Sequence, residues 1–135
     1  AKLAKPNSDV VLTSSDGYFM FGTPLAGLWA AGHHSAPYLA LVFVNGSYST
    51  GTRGLKGTYP EGAAMRAENY EGGLFDPPPD FAKLAEAANG YGETVYEAEE
   101  VGPALRRGLE QVRNGTPAII AAKIPTAVQE MRLAP

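Results

Sequence analysis

The sequence predicts an α/β fold, a three-layer sandwich in which helices cover both faces of a mostly parallel sheet. Two apolar runs, residues 38–44 (YLALVFV) and 117–124 (PAIIAAKI), lack polar alternation, which is typical of parallel strands buried on both faces. Segments with helical periodicity separate the strand-like runs, so the predicted order is β-α-β-loop-α-β-α-β. That alternation places the strands in one layer and the helices in the layers on either side.

The first β-α unit begins with a predicted buried strand at residues 9–13, which is rich in valine and leucine. Thr23 and Pro24 match the capping residue and the first residue of a helix. This helix is expected to pack an apolar face that includes Trp29 into the core, and Gly32 is expected to end it. The unit therefore leads from a first strand, through a helix, into the apolar run that forms the second strand.

The second half of the chain repeats the alternation. Asp80 is expected to cap a helix over residues 81–89, which glycines close. Residues 93–98 alternate between apolar and polar side chains, which predicts a half-buried or edge strand. A second helix is predicted over residues 99–114, with Gly115 as its stop.

We expect residues 1–135 to form a single domain, because a chain of 135 residues is long enough for one hydrophobic core. Residues 46–79 show no clear period and are rich in glycine and proline, so they are predicted to form one long, lid-like loop that faces the substrate. The last eleven residues, 125–135, are predicted to be a tail.

Composition excludes several classes of function. The net charge is −3 and no basic stripe is present, so nucleic acid is not an expected partner. No apolar run reaches the length that a membrane span needs, and the first residues show no signal-peptide pattern. The chain has no cysteine, which excludes thiolate chemistry and is compatible with the cytoplasm, the expected location.

Two oxygen-bearing side chains follow the first two predicted strands. Asp16 comes after the first strand and Asn45 directly after the second. Ligands of open parallel sheets bind beyond the carboxyl ends of the strands, and carboxylate and amide oxygens suit Mg²⁺ or Ca²⁺. Backbone N–H groups of residues 15–18 and the hydroxyls of Ser47 and Ser49 could bind phosphate. The pattern alone leaves open that Asp16 is a turn residue and Asn45 a cap.

The stretch DVVLTSSDGYFMFGTPLAGL, followed by YLALVFVNGSYS, resembles the cofactor motif of thiamine-dependent enzymes of the acetolactate synthase and 2-oxoacid decarboxylase type. That motif consists of Gly-Asp-Gly, an intervening stretch and Asn-Asn. Its parts stand here as Ser15-Asp16-Gly17 and Val44-Asn45. The similarity extends over residues 1–124, since AKLAKPNSDVV resembles the run before the motif and PDFAKLAEAANGYGETV the helix and strand after it.

The resemblance implies thiamine diphosphate and Mg²⁺ as cofactors. Asp16 and Asn45 would be the side-chain ligands of the metal, and the backbone carbonyl of Ser47 would be a third ligand. Tyr48 either lines the cofactor or packs against the protein. The implied cofactor-binding set is Ser15, Asp16, Gly17, Tyr18, Asn45, Ser47, Tyr48 and Ser49.

This sequence departs from the family motif at two positions. Ser15 stands where the family has its first glycine, and Val44 where it has its first asparagine, but neither change removes a metal ligand. The resemblance also implies a partner, the pyrimidine-binding domain, whose activating glutamate would lie upstream or on another chain. We therefore expect a C-terminal domain of a larger enzyme, cut within its first helix, or a separate small subunit, inactive alone and working in a homodimer or homotetramer.

Several functions remain open within the family that the chain resembles. The resemblance implies a lyase or transferase of the acetolactate synthase type acting on 2-oxo acids or 2-hydroxyacyl substrates. A 2-oxoacid decarboxylase of the benzoylformate type and a 2-hydroxyacyl-CoA lyase are alternatives. Outside catalysis, Ser15 and Val44 favour a non-catalytic α/β binding domain that has lost the cofactor, and a flavodoxin-like phosphate binder is a third hypothesis.

Overall fold

The computed structural model describes residues 1–69, 73–75 and 77–125. The chain divides into two compact units, each treated by itself below. Unit one comprises residues 1–44 and 80–124, and unit two comprises residues 45–79 and 125–135. The predicted tail, except Pro125, lies outside the described residues.

Within the described residues, unit one contains a four-stranded sheet in which every neighbouring pair of strands is parallel. The order across the sheet is β1-β2-β4-β3, so the second and fourth strands along the chain lie in the middle. This arrangement confirms the predicted α/β fold with a parallel sheet. The strands are β1 (Val11–Ser15), β2 (Leu39–Val44), β3 (Tyr91–Val95) and β4 (Ala118–Lys123).

Helices pack on both faces of this sheet and create two hydrophobic cores. The helices of unit one are α1 (Asp16–Phe21), α2 (Pro24–His33), α5 (Phe81–Ala87) and α6 (Ala98–Arg113), and those of unit two are α3 (Ser49–Thr58) and α4 (Ala63–Arg66). One core joins Leu28 of α2 and Phe81 of α5 to Val42 in the sheet. The opposite core joins Val112 of α6 to Ile120. Each fully buried aliphatic or aromatic side chain contributes about 1.5–3 kcal/mol, so the two cores hold the three layers together.

Three helices of unit one end in the same hydrogen-bonded turn, the Schellman motif. At the end of α6, Thr116 N–H donates to the carbonyl of Gln111 and Gly115 N–H donates to that of Val112. Gly115 has φ +94°, as predicted for a glycine stop, whereas α2 and α5 place Ser35 (φ 51°) and Asn89 (φ 57°) at this left-handed position. The predicted stop at Gly32 is therefore wrong, because α2 continues to His33.

Two predictions about burial in unit one are wrong. The first strand lies at residues 11–15, two positions later than predicted, and Val11 and Leu12 are exposed. The reason is that β1 pairs only with β2 in the described sheet, so an apolar sequence alone did not ensure burial. Trp29, expected in the core, is 58% exposed, because α2 buries the neighbouring positions Leu28 and Ala31 instead.

The prediction that residues 46–79 form one irregular loop is also wrong. Unit two contains α3 and α4 within this segment. The glycines at positions 51, 54 and 57 made α3 hard to predict, since each lowers the stability of a helix by about 1 kcal/mol relative to alanine. Tertiary packing of the first turn of α3 compensates, since Thr52 is buried and Gly73 lies close to its hydroxyl.

Candidate functional site

Asp16 stands where β1 passes directly into α1. Its side chain is fully buried, and its Oδ1 accepts a hydrogen bond from the N–H of Gly17 at 2.9 Å. Ser15, the residue before the helix, has an extended backbone (φ −94°, ψ 160°), which lets the chain turn from strand into helix at this point. A negative charge in the first helical turn is favourable, because the helix N-terminus carries partial positive charge. The carboxylate is therefore held at the carboxyl end of a strand.

The neighbouring positions of the predicted set differ in their exposure. Gly17 is buried and Ser15 is half-buried, whereas the side chain of Tyr18 is 74% exposed. Among these three residues, the buried Gly17 leaves the backbone open to a close approach because it carries no side chain. The ring of Tyr18 lies on the surface of unit one. Tyr18 can therefore contact a cofactor through its backbone, or through this exposed ring.

Asn45 follows β2 in the chain and opens unit two, where its side chain organises a short turn, residues 45–49. We call this segment the metal turn, because the resemblance predicts metal ligands in it. Asn45 Oδ1 accepts hydrogen bonds from the N–H of Ser47 at 3.0 Å and from the hydroxyl of Ser47 at 3.2 Å. Its Nδ2 donates to the hydroxyl of Ser49 at 3.1 Å. Three residues predicted for the site, Asn45, Ser47 and Ser49, are thus brought together by one amide side chain.

The backbone of the metal turn is tied to residues 73–75 by a short antiparallel bridge that pairs Ser47 with Leu74. Tyr48 N–H donates to the carbonyl of Gly73, and Phe75 N–H donates to the carbonyl of Gly46, both at 2.8 Å. Both bonds use the backbone groups of the residues next to Ser47, so the Ser47 carbonyl accepts neither of them. That carbonyl is the group predicted to bind the metal.

The predicted donors fit a hard cation of the Mg²⁺ type. They are a buried carboxylate, an amide oxygen and a backbone carbonyl, and Mg²⁺ prefers such oxygens together with phosphate. In the part of the chain that the structure describes, no group of three or more His, Cys, Asp or Glu side chains could hold a metal ion. Asn45 Oδ1 accepts two bonds from Ser47, so a metal at this oxygen would compete with one of them.

Sequence reasoning missed Phe75, Gly73 and Thr52 as neighbours of the metal turn. Tyr48 and Phe75 form an edge-to-face pair with ring centroids 4.6 Å apart, so Tyr48 packs against the protein on at least one side. A Cβ placed on Gly73 would lie 2.7 Å from Thr52 Oγ1, which shows how closely this residue packs on α3. The only local signal was the aromatic residue that follows Gly-Gly-Leu, and it carries no information about its partner.

Two further groups of charged and aromatic side chains lie in the described part of unit one. His33 stacks on Trp29 at the end of α2, with ring centroids 4.9 Å apart. Arg107 of α6 hydrogen-bonds Glu93 of β3 and holds the pKa of that carboxyl below its usual range. Burial, followed by the hydrogen bond to Glu93, raises the pKa of Tyr91. Arg107, Glu93 and Tyr91 together join α6 to β3.

Among the described residues, no helix combines the length and the apolar character needed to cross a membrane. This finding agrees with the absence of a long apolar run in the sequence.

Comparison with known proteins gives two findings. Residues 1–123 match the family model described as "Thiamine pyrophosphate enzyme, C-terminal TPP binding domain". The structure is also similar to benzoylformate decarboxylase from Polynucleobacter necessarius, with a TM-score of 0.70, 18% sequence identity and 92% of this chain covered. The matched part is 21% of that decarboxylase chain, so this sequence spans about a fifth of its length. At this identity the structural similarity establishes the fold.

Proposed function

We infer the function from the family: this chain belongs to the thiamine pyrophosphate enzymes, as a C-terminal TPP-binding domain. We propose that it binds the diphosphate end of thiamine diphosphate through one Mg²⁺, with the Asp16 carboxylate, the Asn45 amide oxygen and the Ser47 carbonyl as protein ligands. The observation that carries this proposal is the metal turn, in which a single amide side chain positions Ser47 and Ser49. A turn so organised presents several oxygens with little freedom to move, which Mg²⁺ requires.

The other predicted contacts have separate tasks in this proposal. The backbone N–H groups of Ser15 and Tyr18 bind diphosphate oxygens, because N–H groups at a strand-to-helix turn attract anions. Gly17, whose own N–H donates to Asp16 Oδ1, lets the backbone approach the diphosphate closely because it has no side chain. The Ser49 hydroxyl, which now accepts from Asn45 Nδ2, can donate its own proton to phosphate at the same time. Tyr48 borders the cofactor with the part of its ring that Phe75 leaves exposed.

Thiamine diphosphate supplies the carbanion chemistry when it is bound, and the protein supplies binding, orientation and electrostatics. We propose a 2-oxo acid or a 2-hydroxyacyl compound as the substrate class, in a lyase or transferase of the acetolactate synthase type. A decarboxylase of the benzoylformate type has the support of the structural similarity, and 2-hydroxyacyl-CoA cleavage is the other candidate. Assays of the full-length protein on pyruvate, benzoylformate and a 2-hydroxyacyl-CoA separate these reactions.

Calorimetric titration of the metal-stripped, full-length protein with thiamine diphosphate, with and without Mg²⁺, tests the proposal. We expect thiamine diphosphate to bind only when Mg²⁺ is present. The metal would bridge the single carboxylate of the protein and the diphosphate, two negative groups that repel each other without it. The absence of any binding would favour the non-catalytic α/β domain instead. Metal-independent affinity for a flavin phosphate would favour the flavodoxin-like alternative.

We further propose that this domain works against a pyrimidine-binding domain, of the same or another chain, in a homodimer or homotetramer. Exposed aromatic side chains on α1 and α2 support this: Phe21 is 85% exposed, Tyr18 74% and Trp29 58%. Residues 17–52 contain no Asp, Glu, Lys or Arg, so no such residue lies between these rings along the chain. Large exposed apolar patches usually mark protein–protein interfaces.

Substitution of Phe21 by aspartate is expected to disrupt this assembly. An interface that buries an aromatic ring would have to bury an unpaired carboxylate instead, which weakens association at least about 10-fold. Analytical ultracentrifugation of the full-length protein measures the change. Tyr59→Asp is the matched control, because Tyr59 is a comparably exposed aromatic residue (62%) in unit two, outside α1 and α2. Equal association constants for Phe21→Asp and the wild type would contradict the proposed interface.

A further inference from the structure

We propose that Phe75 is a positioning residue for the metal site, although it follows β2 by some thirty positions and belongs to no predicted motif. Residues 73–75, which we call the support segment, hold the metal turn in the shape that presents the Ser47 carbonyl. This inference rests on the proposed function, because it concerns the same metal. It assigns part of the metal affinity to residues that provide no ligand.

The backbone evidence is the pair of 2.8 Å hydrogen bonds described above. One bond restrains Gly46 and the other restrains Tyr48, so the residue between them, Ser47, is held at both of its flanks. The side chain of Asn45 adds a third restraint through the N–H of Ser47. The direction of the Ser47 carbonyl is therefore determined by the support segment and by Asn45 together.

The side chains of the two segments also pack on each other. The Phe75 ring meets the Tyr48 ring edge-to-face, at 4.6 Å between centroids and 85° between planes. Gly73 lies so close to the buried Thr52 of α3 that a Cβ there would come within 2.7 Å of the threonine hydroxyl. Thr52 in turn bonds the carbonyl of Tyr48 through its N–H at 3.2 Å. The metal turn is thus held between the support segment and the first turn of α3.

The affinity for Mg²⁺ is sensitive to small movements of this turn. Mg²⁺ demands nearly ideal octahedral geometry with short metal–oxygen distances, whereas Ca²⁺ accepts longer and more irregular coordination. A backbone carbonyl that can rotate therefore costs more Mg²⁺ affinity than Ca²⁺ affinity. Residues that orient metal ligands without touching the metal typically contribute 10–100-fold to metal affinity.

Substitution of Phe75 by alanine in the full-length protein tests the inference. We expect Mg²⁺ affinity, measured by titration in the presence of thiamine diphosphate, to fall about 10–100-fold. We expect Ca²⁺ affinity to fall less, so that the Mg²⁺/Ca²⁺ preference shifts toward Ca²⁺. Phe75→Tyr keeps the aromatic edge and should bind Mg²⁺ within about 3-fold of the wild type. If Phe75→Ala does not fold, Phe75→Leu provides the measurement, with a smaller loss in the same direction.

Val112→Ala is the matched control, since it truncates a buried side chain of α6 in unit one and lowers stability without changing unit two. Hydrogen exchange at the Tyr48 and Phe75 amides should accelerate in Phe75→Ala and stay unchanged in Val112→Ala. If Phe75→Ala binds Mg²⁺ with wild-type affinity, or loses affinity equally for Mg²⁺ and Ca²⁺, the inference about Phe75 is wrong and the proposed function still stands. A wild-type protein that binds no Mg²⁺ would overturn the proposed function as well.

Discussion

The Asp16→Asn variant is expected to lose Mg²⁺-dependent binding of thiamine diphosphate by at least about 100-fold. Asparagine has the same shape as aspartate and can still accept the hydrogen bond from the N–H of Gly17. The substitution therefore removes the negative charge while it preserves the packing of a fully buried side chain. Loss of the negative charge on a direct ligand is expected to exceed the 10–100-fold loss that is typical of residues that only orient a ligand.

The measurement is the affinity of the metal-stripped, full-length protein for thiamine diphosphate over a range of Mg²⁺ concentrations. Asp9→Asn is the control, since Asp9 is also an aspartate next to β1 but pairs with Arg113 at the surface, with Nε to Oδ1 at 3.2 Å. Arg113 holds the pKa of Asp9 below its usual value, so this carboxylate is fully charged in the assay, as a control for charge loss should be. Unchanged cofactor affinity in Asp16→Asn would show that Asp16 is not a ligand of the metal.

The Gly92→Ala variant is expected to be the most destabilised of the single substitutions considered. A Cβ at this position of β3 would lie 2.0 Å from the carbonyl oxygen of Ala82 and 2.6 Å from its carbonyl carbon. Both atoms belong to the backbone of α5, so no side-chain rotation relieves the overlap and the whole helix must shift. Overpacking of this kind costs about 3 kcal/mol or more in free energy of unfolding.

Denaturant unfolding of the variant and the wild type measures this loss. Gly32→Ala is the control, since Gly32 lies in α2 and a Cβ there meets nothing within 4 Å. Replacement of a helical glycine by alanine in open space should stabilise the protein by about 0.5–1 kcal/mol. A Gly92→Ala protein within 1 kcal/mol of the wild type would mean that α5 can move away from β3 at little cost.

The glycine at position 92 illustrates why some features of the fold could not be predicted. The sequence suggested that Gly90 and Gly92 close the preceding helix, yet the left-handed residue at that helix end is Asn89. The requirement for glycine at position 92 comes instead from the approach of a backbone that is adjacent in space. Similarly, valine and leucine predicted a strand near residue 11 correctly, but its exposure depends on its place at the edge of the sheet.

The order of the four strands, the helices α2, α5 and α6, the parallel sheet and the cap formed by Asp80 could be predicted, because apolar periodicity and capping are local properties of the chain. Family membership was also predictable, since the motif residues Asp16 and Asn45 stand at recognisable positions. The helix α3 was missed, because three glycines weaken its local preference and only the contacts of residues such as Thr52 outweigh them.

The sequence by itself determined the fold class, the family and the chemical types of the oxygens that would meet a metal. Only the tertiary structure decided which of these groups are ordered together: Asn45 with Ser47 and Ser49, and the metal turn with the support segment. The physical reason is that donor chemistry is a property of individual side chains. Their orientation depends on hydrogen bonds and ring contacts with residues far along the chain, such as Phe75, which no local pattern encodes.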